Sequence, residues 1–369
     1  MNKFYVLGIF LALSGCYLGD DLPKDQNIWK YSQPAEVGLD ADALYALNEA
    51  LIAGDHNLVT GLIILKNDQL VFENYYNFSA RNQLKPIGKS AFSIIVLLLD
   101  QILKDGYIQS LDDPIYSYLP EYEAIFSNSP KKREITIRHL LTHKSGISWN
   151  EPHVNIQRGD SDFQKMRSTS DWPAYILGKS LEADPGLRFV INTGMGLVIA
   201  RIIQNVLPTG QLEEYINTHL LEPLNITGYQ WETSPDGTLN CANGLKMTTL
   251  DFAKIGYLVL QEGRWVNKQR LIDRDWILEV TTTKVQTSLD YSVGYGWWIF
   301  TEDFLSRYLS QVRNTYFLSG EAGQNLYIIP DQQMVVCVMA ENYYYGSIFN
   351  PSLIVLLKSL EAAQHSSIN

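Results

Sequence analysis

Residues 135–147, ITIRHLLTHKSGI, constrain this chain more than any other stretch. Ile135, Thr136 and Ile137 read as a strand-like start, a short apolar helix follows from His139 to Thr142, and Ser145-Gly146 stops it. His139 and His143 are four apart, a spacing that lets two zinc ligands share a helix face. A zincin helix also carries a glutamate beside its first histidine. Leu140 stands there instead, and no third ligand follows at a plausible spacing. The pair therefore reads as a helix cap and a packing residue, with no metal and no cofactor.

The rest of the chain supplies ordinary elements around this stretch. Residues 39–53 repeat apolar positions at Leu44, Leu47, Leu51 and Ile52, with Asp40 as N-cap. Residues 59–65 and 69–75 are strand runs joined by Lys66-Asn67-Asp68, a hairpin signal. Residues 94–103 form a nearly continuous apolar helix, too short to span a membrane and so buried on most sides. Thr248 or Thr249 caps a helix that runs to Leu260 and is stopped by Gly263. Trp297 and Trp298 are strand neighbours and point to opposite faces, one into the core and the other toward a pocket. Cys337 reads as a core hydrophobe in the strand run 334–339, and nothing pairs it with Cys241. The net charge of −11 argues against a nucleic-acid partner, which needs a basic surface.

The N-terminus has a different character. Lys3 precedes the apolar run 4–13, and Leu13-Ser14-Gly15-Cys16 resembles the bacterial lipobox, where the cysteine is acylated and becomes the first residue. The alternative is a plain secretory signal that happens to end in cysteine. Acyl chains at about 0.8 kcal/mol per buried CH2 hold such a protein to a leaflet. Residues 1–15 are then a signal peptide and residues 16–33 a lipid-anchored tether. The lack of aspartate directly after Cys16 favours the outer membrane of a bacterial envelope, with the protein facing the periplasm or the cell exterior.

Four blocks in order resemble the β-lactamase-related serine hydrolases, the family of class C β-lactamases, penicillin-binding-protein-like esterases and 6-aminohexanoate-dimer hydrolases. They are residues 135–146, the run Lys104-Asp105-Gly106-Tyr107-Ile108 with Ser110-Leu111-Asp112-Asp113-Pro114, residues 242–271, and residues 316–330. The resemblance implies an α/β (α+β) fold: an antiparallel sheet flanked by helices, built from residues 34–88 and about 285–365, with a mostly helical region at about 89–284. The whole domain is residues 34–365.

The same resemblance implies a nucleophilic serine at a helix start, a lysine one turn later and a catalytic tyrosine. On the register fixed by Gly106, these positions hold Lys89, Phe92 and Val190. Asn192 of the tyrosine motif is retained. No catalytic group of the family mechanism is intact, and residues that act as a unit lose most of their effect when one goes. Ser90 and Ser93 are the remaining candidate nucleophiles. Adjacent residues on a helix do not face each other, so Lys89 is badly placed to activate Ser90.

Lys89, Asn192, Gly320, Glu321, Gly323 and Gln324 are the expected pocket residues. Glu321 brings a negative charge beside the backbone donors that form the oxyanion hole in relatives. Lys89 then either takes an anionic group of a ligand, paired with or opposed by Glu321, or is tied up in an ion pair or in solvent. The expectation is an inactive, ligand-binding or scaffolding member of the family. Its partners are the membrane, through the anchor, and a peptide, acyl or cell-wall-derived ligand. An active hydrolase with a rebuilt nucleophile at Ser90 or Ser93 is the alternative.

Overall fold

A computed structural model of the chain describes residues 28–56, 58–151, 160–208, 210–266, 268–310, 312–343 and 351–365. Cys16, the signal peptide and most of the expected tether lie outside the described residues.

The hairpin signal is met by β2 (Val59–Lys66) and β3 (Gln69–Tyr75), which follow a short β1 (Lys30–Tyr31). Asn67 and Asp68 both adopt positive φ in the turn, a conformation these two residue types tolerate. The short β4 (Lys85–Pro86), β5 (Tyr229–Trp231) and β6 (Leu245–Met247) form a small separate sheet in the order β4-β6-β5. The chain then adds β7 (Val285–Gln286), β8 (Tyr291–Val293), β9 (Trp298–Phe300), β10 (Tyr316–Ser319), β11 (Asn325–Ile329) and β12 (Met334–Ala340). The large sheet has nine strands in the order β1-β3-β2-β12-β11-β10-β9-β8-β7, antiparallel except at β1 and β3. Strands from both chain ends therefore meet at its centre, where β2 pairs with β12.

Side chains alternate across this sheet and split the interior in two. Ile63, Leu65, Leu326, Ile328, Val335 and Cys337 face one side. The helix Thr249–Leu260 covers them, capped by the side chain of Thr248. Leu62, Ile64, Tyr327, Val336 and Val338 face the other side. There they meet α1 (Ala41–Ala53), capped by Asp40, and the helix Pro351–His365. Cys241 and Cys337 are both buried free thiols. Trp297 is fully buried on the first side. Trp298 stacks on Phe317 on the second side, under the flanking helices. The start of the helix Ser90–Lys104 lies on the first side, so Trp298 does not line a pocket there.

α2 (Ser90–Lys104) is the apolar helix expected from residues 94–103. All of Ile94 to Leu99 is buried, between the sheet on one side and the helices Met195–Val206 and Arg274–Thr281 on others, with Trp276 Nε1 donating to Val96 O. Residues 135–147 give the helix Ile137–Leu141, with Thr136 accepting from the His139 N–H and His139 Nδ1 accepting from the Thr136 N–H. The strand-like start is reduced to a single bridge between Thr136 and Pro114.

Candidate functional site

β4 delivers the chain into α2 through Ile87, whose N–H donates to Leu245 O at 3.1 Å. Lys89 is therefore fixed as the N-cap residue of α2, where the resemblance places the family's nucleophile. Three segments converge on it: residues 143–151, residues 189–193, and the turn between β10 and β11.

Lys89 forms an ion pair with Glu151. The lysine side chain keeps 28% exposure and the glutamate only 1%. A carboxylate this deep needs several donors. Glu151 accepts from Thr193 N at 2.9 Å, Thr193 Oγ1 at 2.5 Å and Trp149 Nε1 at 2.8 Å. Burial works to raise its carboxyl, but Lys89 and the Thr193 donors outweigh burial and hold it below the ordinary glutamate value. Glu151 is thus ionised at neutral pH, and the lysine charge is neutralised within the protein. Glu151 and Thr193 are the site residues that sequence reading missed.

Phe92, expected at the family's lysine position, lies one turn into α2 and packs on the His143 ring with centroids 5.5 Å apart. His143 also meets Phe189 edge-on at 6.0 Å. Burial drives the His143 pKa down to about 4, opposed by Glu151 and assisted by Lys89. Its ring is neutral at pH 7, and Nδ1 accepts from the Asn192 N–H at 3.4 Å. His143 adopts positive φ beyond the end of its helix, so it does not share a helical face with His139. Val190 is half-buried, and its N–H donates to His143 O at 2.9 Å. Val190, expected at the tyrosine position, is a packing contact against the core. Asn192 is 2% exposed, and among the described residues neither end of its amide has a hydrogen-bond partner.

The two serines are both buried. Ser93 Oγ donates to Gly296 O at 2.6 Å. Ser90 Oγ has no hydrogen-bond partner among the described residues. Among the described residues, no base is hydrogen-bonded to either hydroxyl.

The turn after β10 brings Gly320 and Glu321 onto the start of α2. Glu321 Oε2 accepts from the backbone N–H of Lys89 at 3.3 Å. Glu321 thus meets the backbone of Lys89, while the ammonium goes to Glu151. Gln324 braces the turn: its Oε1 accepts from Ala322 N at 3.0 Å and its Nε2 donates to Tyr343 Oη at 3.3 Å. Gly323 closes the turn at φ +90.

These elements have clear counterparts. A Bacillus anthracis protein assigned as a 6-aminohexanoate-dimer hydrolase superposes with a TM-score of 0.71 at 18% identity, over 92% of this chain and 87% of its own. The octameric penicillin-binding protein homologue from Pyrococcus abyssi gives 0.63 at 20% identity, over 86% and 77%. An uncharacterised protein of Alkalihalophilus pseudofirmus is 25% identical over 307 residues, covering 77% of this chain and 83% of its own. The β-lactamase family profile matches residues 59–347, from the first long strand of the sheet past the last, and the chain belongs to the β-lactamase family.

Proposed function

We propose that this chain is a non-hydrolysing member of the family, a ligand-binding or scaffolding pseudoenzyme anchored in a bacterial envelope through Cys16. The observation that carries the reading is the Lys89–Glu151 ion pair at the position of the family's nucleophile. An ammonium neutralised by a buried carboxylate is a poor nucleophile, and the neighbouring lysine and tyrosine positions hold Phe92 and Val190. The buried, internally bonded state of Ser93 and the absence of a base at Ser90 support the same reading. The ligand class is a peptide, an acyl compound or a cell-wall fragment held beside Asn192 and the β10–β11 turn. The lipobox resemblance supports the anchor, and the lack of aspartate directly after Cys16 favours the outer membrane.

The test is intact-protein mass of the full chain in mild detergent, after incubation with a fluorophosphonate, a penicillin and an activated ester. Unchanged mass in folded protein is the expected outcome. A stoichiometric adduct on Ser90 or Ser93 would overturn the reading and establish an active hydrolase with a rebuilt nucleophile. For the anchor, Cys16→Ser should move the protein from the membrane to the soluble fraction. Retention in the membrane would sink the lipid attachment.

A further inference from the structure

The non-hydrolytic reading leaves open what the site admits, and the start of α2 bears on that. Lys89, the N-cap, makes no side-chain cap; the Ala91 N–H turns back to Gly88 O and the Phe92 N–H to Lys89 O, both at 3.1 Å, while the Lys89 N–H is met from outside the helix. Glu321 meets it from the turn after β10, with Oε2 on the Lys89 N–H at 3.3 Å. The fit is close. Gly88 adopts φ +60, and a Cβ there would collide with Glu321 Oε2 and approach Gly320 Cα at 3.0 Å. The turn holds Glu321 in place, with Gly320 N on Gln324 O at 2.7 Å and Ala322 N on Gln324 Oε1.

We propose that Glu321 is a built-in occupant of this donor position and that its carboxylate excludes anionic ligands from the site. A backbone N–H at the start of a 15-residue helix favours a negative charge, and an external anion would otherwise compete for it. Here an internal carboxylate has the advantage of being tethered. The neighbouring charges give an anion no compensation, because Lys89 is neutralised by Glu151 and His143 is uncharged at pH 7. Among the described residues that converge on Lys89, the negative charge that remains is that of Glu321. The ligand of the site is then uncharged or cationic. This inference rests on the pseudoenzyme reading but is measured without any turnover.

The test follows the Lys89 amide resonance in full-chain protein labelled with 15N-lysine, titrated with benzoate. In the wild type the resonance should stay still. In Glu321→Ala it should start from an upfield-shifted position and move saturably with benzoate. Glu321→Gln, which keeps the bulk of the side chain, guards against a folding failure. It should retain the wild-type blindness to benzoate less completely than the glutamate does. An unchanged Lys89 resonance in both variants, or equal benzoate response in wild type and Glu321→Ala, would overturn the proposal. A penicillin adduct on a serine would instead overturn the pseudoenzyme reading, and the resonance data would stand apart from it.

Discussion

Two buried lysine–carboxylate pairs make an instructive contrast. Lys254 lies on the helix Thr249–Leu260 and meets Asp251, three residues earlier, at 2.6 Å. Its ammonium also reaches Asn225 O at 2.7 Å, and Asp251 Oδ2 accepts from the capping Thr248 Oγ1 at 2.8 Å. This pair forms as the helix forms, and other contacts back it up. Lys89 and Glu151 come from separate segments and meet only when the cleft is assembled. The first pair belongs to a helix and the second closes the fold around the site. The second should therefore be the more sensitive to loss of one partner.

Lys89→Met tests this most severely. It leaves the Glu151 carboxylate at 1% exposure without its cation. Breaking a buried pair from one side costs about 3 kcal/mol, read as a lower denaturant midpoint. Replacing both, as in Lys89→Met with Glu151→Leu, should recover part of that loss. A midpoint for Lys89→Met equal to wild type would break the contrast.

His143 offers a pH-dependent version of the same test, because it packs beside the site pair. Its folded pKa, about 4, lies below the ordinary 6.5. The unfolded chain therefore binds the proton more readily between those values. Stability is full above pH 6.5 and falls as the pH drops toward 4, by about 3 kcal/mol for this group. His143→Asn should flatten that window in chemical denaturation measured at stepped pH. Glu151 has the depressed carboxyl, so its contribution is present above its ordinary 4.5 and is lost only at lower pH. An unaltered pH profile in His143→Asn would remove the histidine from the account.

On the helix that carries the local pair, packing should matter more than charge. A Cβ at Gly256 would lie 2.8 Å from both Leu326 Cδ1 and Val335 Cγ1. Gly256→Ala should cost about 2 kcal/mol through overpacking against the sheet, seen as a lowered melting temperature. A neutral result would mean that the sheet yields there more easily than its dense alternation suggests.

The difference between the pairs also explains what the sequence could reveal. The Asp40 and Thr248 caps, the Asn67-Asp68 turn and the apolar strand run in residues 334–339 depend on near neighbours, and each is found where the local pattern puts it. Lys89 could be placed at the nucleophile position by counting from Gly106, yet its partner could not. Glu151 stands in a polar and aromatic stretch without periodicity, far along the chain, and only tertiary folding brings it to Lys89. Glu321 was expected beside the backbone donors of the site, and its Oε2 accepts from the Lys89 N–H. Trp298 shows another limit. Alternation separates two faces of a strand but does not say which helices cover each face.

The smallest effect expected is at the cap of the local pair. Thr248→Ala removes a side chain that accepts from Asp251 N at 3.0 Å and donates to Asp251 Oδ2. An N-cap loss of this kind costs about 1 kcal/mol. Asp251 keeps Lys254, and Lys254 keeps Asn225 O, so the pair survives without the threonine. Denaturant midpoints of Thr248→Ala and Lys89→Met measured side by side give the ranking directly. If the cap mutant lost as much as the lysine mutant, the local pair would be no better supported than the distant one. The helix Thr249–Leu260 would then depend on its first turn as heavily as the cleft depends on Glu151.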